Sequence, residues 1–289
     1  MMPPLLESIG LGYSYRRGEW ALRGVDLRID AGDRVAVLGA NGAGKSTLLL
    51  ALGGIVILTE GELRWEGQPA AGRKSRSLLR DKVGILLQDP EDQIFAPTVE
   101  QDVAFGLIQR GVPEDAASVR VHWALDRLGV THLAKRSVHQ LSLGEKKRLA
   151  LAGLIVLRPA LLLLDEPSAG LDHHGASALL DMLRELQTDG TAVVLSTHDT
   201  NLAAQWSTRV VVLDSGRVIT QGGSKAILTD SHLLERARLA PPATYIAATA
   251  LRELYPQSAE WPLPATPAEL DLFARRIVEC HRSHSGQTR

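Results

Sequence analysis

The sequence predicts an α/β fold built on a buried, mostly parallel sheet, and three observations carry that prediction. Short Val, Leu and Ile runs recur as "RVAVLG" at Arg34, "ALLLLDEP" at Ala160, "TAVVLSTHD" at Thr191 and "RVVVLDSG" at Arg209. Continuous apolar runs of this length suit strands buried on both faces, as parallel sheets are. Between Pro97 and Leu157 the apolar residues recur instead at three and four positions, the helical period. The Gly-rich stretch "GANGAGKST" joins the first of these strands to a helical run, which is where open α/β sheets bind ligands.

Taken in order, "LLESIGLGYSYRRGEWALRGVDLRIDAGD" alternates loosely between Gly-containing turns and reads as antiparallel strands at the edge of the sheet. The strand at Arg34 leads into the helix "STLLLALGG". "GRKSRSLLRDK", Gly72 to Lys82, is basic and reads as a solvated helix face. The helical pattern of about 89–157 forms a lobe inserted between core strands. The strands at Ala160 and Thr191 return the chain to the core, and "VVVLDSGRVITQGG" reads as a hairpin with Ser215 and Gly216 in its turn. From Ser224 the pattern is helical, interrupted at Pro241, Pro242, Pro256, Pro262, Pro264 and Pro267, and it closes on the polar tail "HRSHSGQTR". The expected division is a main unit over 4–240 and a small helical extension over 241–289 with a flexible tail. No internal repeat is visible.

Composition narrows the partners. The 289 residues carry 32 Lys plus Arg against 33 Asp plus Glu, so the net charge of -1 supplies no global attraction for nucleic acid or an anionic membrane. Cys280 is the only cysteine, which excludes a disulfide within the chain and suits a reducing, cytoplasmic setting. The longest apolar run, Leu48 to Leu58, is about half of the ~20 residues a spanning helix needs, and Gly53 and Gly54 interrupt it. "MMPPLLESIG" lacks the basic and apolar regions of a secretory signal. Cys280, His281 and His284 resemble a set of metal ligands, but a polar tail provides no scaffold for them, and His173 and His174 read as solvated.

Two motifs carry chemistry. Gly39 to Thr47 matches G-x-x-x-x-G-K-[ST] in the strand-to-helix context this motif requires. Its glycines, Gly39, Gly42 and Gly44, free the amides of Ala40, Asn41 and Ala43 to curl around phosphate oxygens. Lys45 adds charge for the β and γ phosphates, and Ser46 offers a hydroxyl to Mg²⁺ beside Thr47 at the helix start. This predicts binding of a nucleoside triphosphate. In "LLLLDEPSAGLD", Asp165 ends a buried strand, where it can hold Mg²⁺ through water, and Glu166 can orient or deprotonate an attacking water.

"GANGAGKST", Gln88 in "GILLQDP", "LSLGEKKR", "LLLLDEPSAGLD" and His198 in "LSTHD" stand in the order and approximate spacing of an ABC-transporter ATPase cassette. The resemblance covers roughly Leu5 to Gly223 and implies a P-loop NTPase fold with an antiparallel β edge subdomain and an inserted helical subdomain. In that family two cassettes dimerise head to tail, so Ser142, Gly144, Glu145 and the helix they begin are implied to complete the γ-phosphate site of a partner cassette. Leu143 stands where the family usually has a glycine. The resemblance further implies that Tyr15 stacks on adenine, with Tyr13 as the competing candidate. Gln88 reaches Mg²⁺ and the attacking water, His198 contacts the γ-phosphate, and Asp172 touches the opposite cassette.

"LLQDPEDQIFAPTVEQDVAFG", Leu86 to Gly106, resembles the ATPases of energy-coupling-factor importers, particularly the cobalt and nickel branch, and so does "THDTNLAAQWSTRVVVLDSGRVITQGG". "AILTDSHLLERARL" fits the C-terminal extension of those subunits. The implied partners are a second cassette (the same chain or a paralogue), a membrane T component docking near "PEDQIFAPTVEQD", and an S component that binds the metal or vitamin. The chain itself is then peripheral, on the cytoplasmic face, and meets the membrane only through partners, with no nucleic acid. A soluble ABC ATPase of the repair or translation type would show long coiled coils or two cassettes. A P-loop kinase would leave the signature helix and His198 without a purpose.

Overall fold

Alternation along each core strand decides the architecture. In the computed structural model, which describes residues 3–16 and 18–285, six strands form one sheet in the order β10-β9-β3-β8-β7-β6. These are β3 (Arg34–Leu38), β6 (Val83–Leu86), β7 (Leu161–Asp165), β8 (Ala192–Thr197), β9 (Arg209–Asp214) and β10 (Arg217–Gly223). All neighbours run parallel except β10, which turns back on β9 through Ser215 and Gly216, both in the left-handed region at φ 49° and 74°. That is the backbone a two-residue hairpin turn demands.

Successive residues of each strand face opposite sides. Ala36, Leu38, Leu162, Leu164, Val193, Leu195, Val210 and Val212 join one buried cluster, whereas Val35, Val37, Leu161, Leu163, Ala192, Val194, Val211 and Leu213 join a second. Each fully buried Leu or Val contributes about 1.5–3 kcal/mol, so the sheet is a stiff wall between two hydrophobic layers.

The N-terminal strands depart from the expectation of edge strands on that sheet. β1 (Leu6–Arg16), β2 (Glu19–Ile29), β4 (Glu60–Trp65) and β5 (Gln68–Pro69) form a sheet of their own, ordered β2-β1-β4-β5 and antiparallel throughout. The reason is that β1 has partners on both sides, with Leu6 opposite both Ile29 and Trp65, so it offers no free ladder. One face carries Leu6, Leu11, Leu22, Val25, Leu27 and Ile29, which cover the second cluster together with α1 (Lys45–Leu52). The helix α1 ends at Gly53 and Gly54, and α2 (Gly72–Lys82) buries only Leu79, matching its expected solvated face. No helix among the described residues is long and apolar enough to cross a membrane.

Between β6 and β7 lie the helices α3 (Val99–Gln109), α4 (Glu114–Arg127) and α5 (Leu143–Ile155). Val99, Val103 and Leu107 of α3 pack on Val121, Ala124 and Leu125 of α4 and on Leu149, Leu151 and Ile155 of α5. Helices α6 (His173–Thr188), α7 (Thr200–Trp206), α8 (Ser224–Leu228) and α9 (Ser231–Arg236) add Leu183, Trp206, Leu228 and Leu234 to the same cluster.

In the extension, α10 (Ala243–Leu254) and α11 (Pro267–Ser285) share a small core of Ala248, Phe273 and Ile277. Tyr245 reaches into the main core, and Ala243 N–H donates to Asn201 Oδ1 at 2.8 Å, so α10 is anchored to the body. Helix α11 runs through Ser285, and its Phe273 and Ile277, one turn apart, fasten it. Residues 286–289, and the side chains of His281 and His284, lie outside the described structure.

Candidate functional site

Sheet register assembles the site. Leu38 lies opposite Thr197 and Asp165 opposite Ser196, so the carboxyl ends of β3, β7 and β8 form one line. The residues that follow those strands, Gly39, Glu166 and His198, are therefore brought together from three distant parts of the chain.

The Gly-rich loop wraps the start of α1. Gly42 and Gly44 adopt φ 81° and 103°, and a Cβ on Gly44 would sit 2.8 Å from the carbonyl oxygen of Ala21, so only glycine lets the loop close there. Ala43 is buried, and its carbonyl accepts from Gly216 N at 2.9 Å, tying the loop to the β9–β10 turn. Lys45 is buried; its Nζ donates to the carbonyl oxygens of Gly39 at 2.9 Å and Ala40 at 3.3 Å and lies 3.7 Å from Glu166 Oε1.

Around this loop is a cavity of about 760 Å³, lined by Tyr15, Asn41, Gly42, Gly44, Lys45, Ser46, Thr47, Gln88, Asp165, Glu166 and His198 among others. That size and polarity suit a nucleotide. Tyr15 stands 61% exposed on its wall, with its hydroxyl 2.9 Å from Thr47 Oγ1, whereas Tyr13 packs against the core and meets the Tyr15 ring edge-on. Of the two candidates, Tyr15 is the more exposed and the one that lines the cavity.

Glu166 is 8% exposed and sits at φ 45°, a left-handed conformation that costs a residue with a Cβ about 1–2 kcal/mol. The posture aims its carboxylate into the cavity, with Oε1 at 3.0 Å from Nδ1 of His198. Asp165 is buried, and Ser196 Oγ donates to its Oδ1 while accepting from Glu166 N at 3.2 Å. Ser46, Gln88 and Asp165 supply only oxygen donors to one cavity, the set a hard divalent cation such as Mg²⁺ prefers.

The signature residues stand apart from this cavity. Ser142, Gly144 and Asp172 line another, of about 850 Å³, against α6. Ser142 N-caps α5 in a reciprocal box: its Oγ accepts from Glu145 N at 3.4 Å, and Glu145 Oε2 accepts from Ser142 N at 2.7 Å and Ser142 Oγ at 2.8 Å. These bonds from the Ser142 backbone and hydroxyl hold the Glu145 carboxyl below its ordinary range. Asp172 caps α6, its Oδ1 accepting from Gly175 N at 2.7 Å. Leu143 does not cover the helix start; its side chain leans over Gly170 and stays 49% exposed. Among the described residues, the two cavities share no lining side chain.

Ser196 and Gln93 both escaped the sequence reading. Ser196, which steadies Asp165 and Glu166, was visible only as part of "LSTHD". Gln93 braces the segment before Gln88, donating to Ile85 O at 2.7 Å and accepting from Leu87 N at 2.8 Å, and no spacing rule marks it.

Residues 22–169 match the family described as ABC transporter. The energy-coupling factor transporter ATP-binding protein EcfA of Methanothermobacter thermautotrophicus is 43% identical over 241 residues, 83% of this chain and 78% of that protein. Among solved structures, cbiO1 from Clostridium perfringens, part of the ABC transporter complex cbiONQ, shares 38% identity at a TM-score of 0.73 over 81% of this chain and 94% of its own. An ATP-binding cassette solved as a dimer in a post-hydrolysis state with ADP and Pi shares 27% identity at a TM-score of 0.71, covering 76% of this chain and 98% of that one.

Proposed function

The chain belongs to the ABC transporter ATPases, enzymes that couple ATP hydrolysis to transport, and from that premise we propose that it powers an energy-coupling-factor importer of cobalt or nickel ions from the cytoplasmic face of the membrane. One observation carries the reading: the phosphate loop, Asp165, Glu166 and His198 share one cavity, while Ser142 and Gly144 open onto another. Two copies placed head to tail give each nucleotide both halves. The solved dimer of a similar cassette supports that pairing, and the likeness to cbiO1 and to EcfA supports the importer class.

In this mechanism Tyr15 holds the base and the loop amides with Lys45 hold the phosphates. Ser46, Asp165 and Gln88 would hold Mg²⁺, which supplies neutralising charge at the β and γ phosphates. Glu166 takes a proton from the attacking water as its oxygen bonds to the γ-phosphorus and the bridging oxygen leaves with ADP. His198, hydrogen-bonded to Glu166, fixes the carboxylate and faces the γ-phosphate. The N-terminus of α5, with Ser142 and Gly144, presents amides and a hydroxyl to the partner's γ-phosphate, so ATP closes the dimer and hydrolysis reopens it. Asp172 touches the opposite cassette. A membrane T component docks near Phe95 and Phe105, exposed rings packed edge to face at 4.5 Å, and an S component carries the cargo.

The test is uptake of labelled cobalt and nickel by cells carrying the intact gene or Lys45→Ala at matched expression. Loss of uptake of one metal supports both role and cargo. Unchanged uptake of both, with the purified chain still hydrolysing ATP, removes the metal and leaves a vitamin or another solute as the cargo.

A further inference from the structure

The most unusual charge in the molecule is buried. Lys147, one turn into α5, is 5% exposed, and its Nζ donates to the carbonyl oxygens of Glu166 at 3.1 Å and of Ala169. An ammonium out of water is costly unless its protons are used, and here two of the three are. One turn earlier, on the same face of α5, Leu143 lies against the same loop: a Cβ on Gly170 would come within 2.8 Å of its Cδ2. The start of α5 therefore grips the loop at Glu166, Ala169 and Gly170.

The two things so joined belong, on the reading above, to different nucleotides. Ser142 and Gly144 at the head of α5 serve ATP on the partner, and Glu166 serves this chain's own. We propose that Lys147 is a positioning residue that couples the two sites, so that closure of α5 on the partner's phosphate sets the backbone of Glu166 in its own site. Glu166 is the right target for such a lever, because its left-handed φ of 45° must be imposed by what surrounds it. The charges facing Lys147 are Glu166, Asp165 and Asp89, drawn from the ends of β7 and β6. They oppose the fall in its pKa that burial causes, and α5 is held to the Asp89 segment again by the Lys146–Glu91 ion pair.

The inference rests on the two-site ATPase reading, and the experiment separates the two. Full-length wild type, Lys147→Met, Lys147→Gln, Lys147→Arg and Glu166→Gln are compared for ATP hydrolysis against ATP concentration, and for binding of a fluorescent ATP analogue. Lys147→Met removes the donors at similar volume. It is expected to lower kcat by about 10- to 100-fold, the scale of a small misplacement of a catalytic group, and to bring the Hill coefficient from near 2 to near 1, with analogue affinity within about twofold. Lys147→Gln and Lys147→Arg, which keep donors, are expected to recover much of both. A Lys147→Met protein with wild-type kcat and Hill coefficient overturns the coupling, and so does one that loses rate with its cooperativity intact. If the Met variant does not fold, Gln and Arg variants that hydrolyse ATP without cooperativity overturn it equally. Wild-type hydrolysis by Glu166→Gln overturns the ATPase mechanism and this inference with it; normal loss in Glu166→Gln beside an unaffected Lys147→Met overturns the coupling alone.

Discussion

Ser196→Ala tests whether the hydroxyl behind Asp165 and Glu166 matters as much as its position implies. Ser196 is fully buried on β8, so alanine enters the strand without a new clash and leaves a gap of one oxygen. Two hydrogen bonds go. The one from Glu166 N is partly covered, because the same N–H also reaches the Ser196 carbonyl at 3.2 Å, which the substitution keeps. The one to Asp165 Oδ1 has no replacement among the described side chains, and it is made to a buried carboxylate. Bonds to charged groups are worth about 1.5–3 kcal/mol. A loss near 2 kcal/mol lowers Tm by about 3 °C in a chain of 289 residues, whose unfolding entropy is about 0.6 kcal/mol/K. The assay is thermal unfolding followed by circular dichroism on Ser196→Ala, Asp165→Asn and the double variant. In Asp165→Asn the serine no longer faces a charge, so the serine substitution should cost at most about half as much there. Equal costs in both backgrounds refute the assignment, as does a Tm within about 1 °C of wild type.

Further outcomes follow from the same geometry. Glu166→Gln is expected to cut hydrolysis by about 10²- to 10⁴-fold while ATP still drives dimerisation, measured by phosphate release and light scattering. Tyr15→Ala is expected to weaken ATP binding by about 1–3 kcal/mol with little change in melting, whereas Tyr13→Ala should lower the melting temperature, because Tyr13 packs against the core; titration and calorimetry separate them. Ser142→Ala, which removes the cap of α5, is expected to cost about 0.5–2 kcal/mol at neutral pH. Because the folded-state pKa of Glu145 is lowered, its share of that cap is complete above the ordinary carboxylate pKa and is lost as pH falls through the folded value. Denaturant titrations should therefore show the wild-type and variant curves converging in acid.

The parts of the fold legible in sequence were those governed by local pattern. The runs at Arg34, Ala160, Thr191 and Arg209 became β3, β7, β8 and β9, because a strand buried on both faces has no polar positions to spare. Gly39 to Thr47 was readable because its glycines answer a backbone demand met within nine residues. Local pattern alone placed the N-terminal strands at the edge of the core sheet, and only the family resemblance implied the antiparallel subdomain they form; alternation reveals that one face is buried, not what covers it. Ser196 and Lys147 were silent for a related reason. Their partners lie about 30 and 20 residues away, and "EKKR" looks like any solvated basic run until Lys147 is seen turned inward.

The place of β3 at the middle of its sheet also fixes when the molecule becomes competent during synthesis. Its two neighbours, β8 and β9, are the strands beginning at Ala192 and Arg209, although β3 itself ends at Leu38. At about 5–20 residues per second, a ribosome needs roughly 10–35 s after making β3 to supply both flanks. Throughout that interval β3 has neither of its ladder neighbours, and of its two faces only the one bearing Val35 and Val37 can be covered by β1, β2 and α1. A chain that stops before β8 therefore lacks both ladder partners of β3, together with Ser196 and His198 behind and beside the Asp165–Glu166 pair.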